Sequence, residues 1–120
     1  MVDKLNRDIG QGDICWCDLG EPVGAEPGFV RPIVIIQGNP FNRSRIDTVL
    51  ALPLTSNLKW QKAPGNVLLS KGESGLPKES VALVAQIITV DRAHLSTPIK
   101  QLSKRVLHRL FEGIDIVLDR

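Results

Sequence analysis

Val30-Arg31-Pro32-Ile33-Val34-Ile35-Ile36-Gln37 is the stretch on which the fold turns. Ile33 to Ile36 form an unbroken apolar block, and a strand sends successive side chains to opposite faces. Both faces of this strand are therefore covered, which places it at the centre of a sheet. Val81 to Ala85 repeats the pattern. At the head of the block, Pro32 restricts Arg31 to extended backbone. The run is preceded by Gly20-Glu21-Pro22-Val23-Gly24-Ala25-Glu26-Pro27-Gly28, too rich in breakers for regular structure, which reads as a long mobile connection suited to a lid.

Further β-like runs lie on either side, at Ile14 to Leu19, Thr48 to Leu54, Asn66 to Ser70 and Val81 to Val90, each bounded by turn signals. Short strands at this spacing suit a small barrel or sandwich. The chain then changes period. Val106, Leu107, Leu110, Phe111, Ile114, Val117 and Leu118 recur at helical spacing behind Ser103, an N-cap residue type. Lys104 and Arg105 in the first turn oppose the helix dipole at about a few tenths of a kcal/mol each, so packing must hold this helix. The expected fold is mainly β with one C-terminal helix, in a single domain over residues 1–120, large enough for one core and too small for two.

Composition narrows the class. With 42% hydrophobic and 23% charged residues, the chain reads as an ordinary folded protein. No apolar run reaches the roughly eighteen residues of a membrane span, and the N-terminus lacks the hydrophobic block of a signal peptide, so a cytoplasmic location is expected. Cys15 and Cys17 stand two apart on a strand with no second pair to complete a zinc site, and read as buried free thiols.

Net charge is only +2, but its distribution is uneven: residues 31–78 carry seven basic and two acidic side chains, residues 1–30 two and six. Arg31, Arg43, Arg45, Lys59, Lys62, Lys71 and Lys78 all fall on or beside predicted loops, where they can reach a polyanion or serve as a solvated surface. Trp60, in the polar stretch 56–65, is either a stacking platform for a base or a core plug.

Several catalytic schemes lack their residues. His94 and His108 lie in separate contexts and do not form an acid/base couple. Phosphate-cradling loops ending in Lys-Ser/Thr, nucleophile-elbow serines and two-histidine metal signatures do not occur, so no cofactor or metal is expected. RNA cleavage needs none of these, since the ribose 2′-hydroxyl attacks its own neighbouring phosphorus. Arg31 and Thr55 both sit where an apolar strand meets a loop, one in Arg31-Pro32, the other in Pro53-Leu54-Thr55-Ser56. One cation and one hydroxyl at such places can share a phosphate, the guanidinium fork stabilising charge that accumulates on its oxygens. The alternatives are a salt bridge from Arg31 to Glu26 or Asp47, and a plain turn former at Thr55.

The ordered set Gly12-Asp13-Ile14, Gly24 to Gly28 with Arg31-Pro32, Asn39-Pro40-Phe41-Asn42, Pro53-Leu54-Thr55-Ser56, Gly75-Leu76 through Ser80-Val81 to Gln86-Ile87, and Thr89-Val90-Asp91 resembles the MazF/PemK (Kid-like) toxin endoribonucleases over residues 12–95. The resemblance implies an SH3-like β-barrel, a homodimer, a cognate antitoxin as partner, and metal-independent cleavage of single-stranded RNA to 2′,3′-cyclic phosphate and 5′-hydroxyl ends. It implies catalytic roles for Arg31 and Thr55, and a substrate groove lined by Glu26 and Gln86, with Ser56 beside Thr55. Arg43 and Arg45 are candidates for phosphate tracking. The chain departs from the family where Ala85 replaces an acidic residue of some relatives, so no carboxylate base stands there. His94 replaces a common arginine, and Ala25 a common serine. A noncatalytic toxin on the same barrel, such as a DNA gyrase poison acting through the C-terminal helix, is the competing reading; exposed apolar residues after Ile114 would favour it.

Overall fold

The computed structural model describes residues 8–21, 24 and 29–120. Among these, seven strands are formed: β1 (Asp13–Asp18), β2 (Val30–Ile35), β3 (Thr48–Thr55), β4 (Val67–Leu69), β5 (Ser80–Ala82), β6 (Ile88–Asp91) and β7 (Lys100–Gln101). Two single-turn helices, α1 (Asn39–Asn42) and α2 (Lys71–Ser74), interrupt them, and α3 (Lys104–Val117) follows the last strand.

Every strand pairing is antiparallel, in the order β4-β5-β3-β2-β1-β7, with β6 also on β3. The long strand β3 is the hub. One of its edges takes β2, while the other takes β6 along Thr48–Ala51 and β5 at Leu54–Thr55. A bridge between Cys17 and Leu95 brings the chain after β6 back to β1, so the sheet curls into a barrel.

Alternation along the strands then builds two cores. Cys15, Cys17, Ile33, Ile35, Val49, Ala51 and Val90 fill the barrel interior. Ile14, Val34, Ile36, Leu52 and Leu54 face the other way, onto Val106, Leu110 and Ile114 of α3. The block Ile33–Ile36 is thus shared residue by residue between the two, as its unbroken apolarity predicts. Helix α3 begins where expected, with Ser103 Oγ accepting the Val106 N–H at 3.2 Å. Burying its fully enclosed Leu110 contributes about 1.5–3 kcal/mol, more than its unfavourable first-turn charges cost.

The run Val81 to Val90, expected as one strand, is two. β5 ends at Ala82, a 3₁₀ turn follows over Val84–Gln86, and β6 starts at Ile88. Leu83 N–H still bonds the Pro53 carbonyl at 2.9 Å, but Val84 N–H turns to Asn66 Oδ1, also at 2.9 Å. Hydrophobicity alone does not report that exchange of partners.

Two contacts fix the loops. Arg92 is buried, donating from Nε to the Ile46 carbonyl at 2.5 Å and from Nη2 to the Phe41 carbonyl at 3.1 Å, which ties down the β2–β3 connection. Gly113 of α3 lies directly against the loop before β4: a Cβ there would stand 2.2 Å from the Gly65 carbonyl oxygen. No helix among the described residues is long and apolar enough to cross a membrane.

Candidate functional site

Arg31 is the second residue of β2, opposite Cys17 of β1, and Ile33 pairs with Pro53 on the other side. Carrying that register two residues outward sets Arg31 across from Thr55, the last residue of β3. Both are half-buried. They line a single cleft of about 590 Å³ together with Trp16, Phe29, Pro32, Ser56, Asn57 and Lys78.

The local chain chemistry explains the rim. Phe29 adopts a left-handed backbone (φ 60°); its N–H donates to the Gly20 carbonyl and its carbonyl accepts the Leu19 N–H at 2.8 Å, closing the β1–β2 hairpin just before Arg31. Thr55 Oγ1 accepts the Asn57 N–H at 3.2 Å, and Asn57 Oδ1 accepts the Lys59 N–H at 3.3 Å. Thr55 is thereby a turn former, the plainer of its two readings, but the bond uses its oxygen as acceptor and leaves the hydroxyl proton to donate to an anion. Trp16 pairs across β1–β2 with Pro32, and its backbone N–H donates to Ser96 Oγ at 2.9 Å, which holds the tryptophan at the cleft wall.

The remaining expected site residues divide. Ser56 lines the cleft. Glu26 lies outside the described residues. Gln86 sits in the 3₁₀ turn between β5 and β6, its N–H on the Leu83 carbonyl at 3.0 Å, away from the cleft lining. Arg43 and Arg45 follow α1 on the β2–β3 connection, before the far, Thr48 end of β3, a strand about 23 Å long that Thr55 closes at its other end. Asp47, weighed as a partner for Arg31, is at that same far end. Arg43 and Arg45 are not among the residues that line the Arg31–Thr55 cleft.

Trp60 stands in a 3₁₀ helix (Leu58–Lys62), half-exposed, with the Lys59 ammonium 5.3 Å from its ring centroid, and does not line the cleft. Trp16 and Lys78 do, although sequence reasoning misses the first and leaves the second among seven basic residues. The signal that could have found Trp16 is its phase on β1, opposite to Cys15 and Cys17. For Lys78 there is no signal beyond charge, because the β3–β5 pairing that brings its segment to the cleft joins residues far apart in the chain.

The cysteines are free and buried in the barrel. Burial pushes the Cys15 thiol up to about 12, with Asp13 and Cys17 adding to it, and burial with Asp18 pushes Cys17 up to about 11. Neither is a nucleophile at neutral pH. His94 and His108 sit on different elements, His108 3.9 Å from Glu112 on the outer face of α3, and neither lines the cleft.

A curled barrel backed by one helix, with an arginine and a threonine lining one cleft, defines the class of small β-barrel proteins closed by a C-terminal helix. Comparison with known proteins gives the class a family. The model of the PemK-like, MazF-like toxins of type II toxin-antitoxin systems matches residues 10–118, and the chain belongs to that family. Endoribonuclease MazF2 of Mycobacterium bovis is 37% identical over 111 residues, 92% of this chain and 97% of its own. Endoribonuclease EndoA of Bacillus subtilis is 31% identical over 110 residues, 92% and 94% of the two chains. Among solved structures, MazF of Deinococcus radiodurans superimposes with a TM-score of 0.76 at 21% identity, covering 93% of this chain and 97% of that one. A mycobacterial endoribonuclease in complex with its cognate antitoxin gives 0.74 at 19% identity over 92% and 95%.

Proposed function

We propose that this toxin is a metal-independent endoribonuclease that cuts single-stranded RNA within a short sequence, leaving 2′,3′-cyclic phosphate and 5′-hydroxyl ends. The observation that carries the reading is the sharing of one cleft by Arg31 and Thr55 on adjacent strands. The names of the curated relatives, endoribonucleases at up to 37% identity, support it. In this reading the Arg31 fork neutralises charge growing on the phosphate oxygens and helps the departing 5′-oxygen, while Thr55 donates its hydroxyl proton to the same phosphate. The attacking group belongs to the substrate, so the protein aligns and stabilises. It works in the cytoplasm as a homodimer of one-domain subunits. A cognate antitoxin, of the kind crystallised with related toxins, restrains it.

Purified protein incubated with a mixed RNA pool and a chelator should release fragments with those ends. Arg31→Ala should lower the rate about a hundredfold to a thousandfold, the scale of losing one preorganised charge-stabilising group. Thr55→Val keeps the shape and should also slow cleavage strongly; a wild-type rate in that variant refutes the assignment.

One observation favours the second reading, a gyrase poison. Ile116, Val117 and Leu118 are exposed at the end of α3. Intact RNA combined with inhibited supercoiling in the same preparation would select that reading.

A further inference from the structure

The Arg31–Thr55 cleft does not end at its own wall. A second open cavity, of about 540 Å³, shares Ser56, Pro77 and Lys78 with it and continues to Ser70 and Lys71. The two form one groove with Lys78 at the junction. Among the described residues neither Lys78 nor Lys71 has an acidic group within ion-pair distance, whereas Glu73 is already engaged by Arg109 at 3.0 Å. Glu79 also lines the second cavity, so the groove holds two cations against one anion there. Both lysines are exposed. Trp16, on β1, lines the first cavity on the side away from β5 and is partly exposed.

We infer that single-stranded RNA leaves the Arg31–Thr55 centre in one direction, along this second cavity, with Lys78 holding the phosphate next to the scissile one and Lys71 one further out. The inference rests on the nuclease reading and deepens it. Backbone charge, met by mobile ammonium groups, suits a sequence-independent grip, while a stacked base on Trp16 fits the apolar end. An acidic peptide is the other polyanion such a groove accommodates, and the test separates the two.

The probe is a ten-nucleotide RNA with a 2′-deoxy sugar at the mapped cleavage position, followed by fluorescence anisotropy across a salt series. Lys78→Ala should flatten the slope of log affinity against log salt by about 0.7, one phosphate's worth on a single strand, so that its loss between about 50 and 200 mM salt is about 2.5-fold smaller than that of the wild type. Lys78→Arg should restore the slope. Cleavage by Lys78→Ala should lose more through a raised KM than through a lowered kcat, because the group holds a neighbour of the reacting phosphate. Lys71→Ala should flatten the slope as well, and its effect should vanish when nucleotides are trimmed from one end of the probe and not from the other.

An unchanged slope in Lys78→Ala, or trimming that makes no difference from either end, overturns the path. So does a variant that loses binding to a poly-glutamate peptide and keeps binding to RNA. If wild type cleaves no RNA but binds an unmodified ten-nucleotide single-stranded RNA with these lysine dependences, the nuclease reading fails and the groove stands. If it cleaves and the lysines are silent, the groove fails alone.

Discussion

Arg31 and Thr55 owe their meeting to one proline and one register. Pro32 extends the backbone at Arg31, Pro53 stands in β3 opposite Ile33, and antiparallel pairing does the rest. That much is legible in the sequence, because Arg31 is marked by the proline that limits its backbone and Thr55 by its place where an apolar strand meets a loop. Trp16 and Lys78 are not, since their place at the cleft follows from strand phase and from a pairing between segments far apart in the chain. At this scale the buried thiols make a separate prediction. Their folded values, about 12 for Cys15 and about 11 for Cys17, are raised above the ordinary 9.0, so folding holds the thiols protonated. Their stabilising contribution is fully present below pH 9. It is lost as the unfolded thiols ionise and pH climbs through 9 toward 11 and 12. Native protein at about pH 8, below the ordinary thiol range, should not react with a thiol-specific dye, and should react at both sites once urea unfolds it. Ready labelling of the native state would contradict the buried placement.

At the level of elements, the sheet and the closing helix are readable and the interruptions are not. Val30–Ile35 and α3 follow from apolar pattern, and Ser103 from its residue type. The break at Val84–Gln86 arises because β3 changes partner, the short helix α2 arises from local capping, in the box Ser70–Glu73 where the hydroxyl accepts one N–H and the carboxylate another, and α1 carries Pro40 in its first turn. Neither leaves a hydrophobic period to detect. The contact between α3 and the loop before β4 is a matter of the same scale. Gly113→Ala would gain about 1 kcal/mol of helix propensity in isolation. Here the new methyl meets a backbone oxygen, which cannot rotate away, so overpacking of about 1–3 kcal/mol decides the sign. Urea unfolding should show a lower midpoint for the variant; an unchanged or raised midpoint would show that the loop yields freely.

For the molecule as a whole, the uneven charge of the sequence is only partly gathered into one groove. Lys71 and Lys78 from the basic middle third line the cavities, while Arg43 and Arg45 are carried to the far end of β3. The apolar end of α3 is a second surface, remote in the chain from Arg31 and Thr55. The double variant Ile116→Asp with Leu118→Asp should keep RNA cleavage within about twofold of wild type, since no residue of the cleft lies there. A collapse of cleavage with the fold intact would show that this end of the helix takes part in the reaction or in the assembly that performs it.

The glycine-to-glycine contact under α3 has a reach beyond its own neighbourhood. Gly65 closes the segment that starts at Ser56 and Asn57, whose first amide holds Thr55 in its turn, so the helix and the reacting hydroxyl are joined by ten residues of chain. Selection for survivors of toxin expression should then recover mutations at Gly113 alongside those at Arg31 and Thr55.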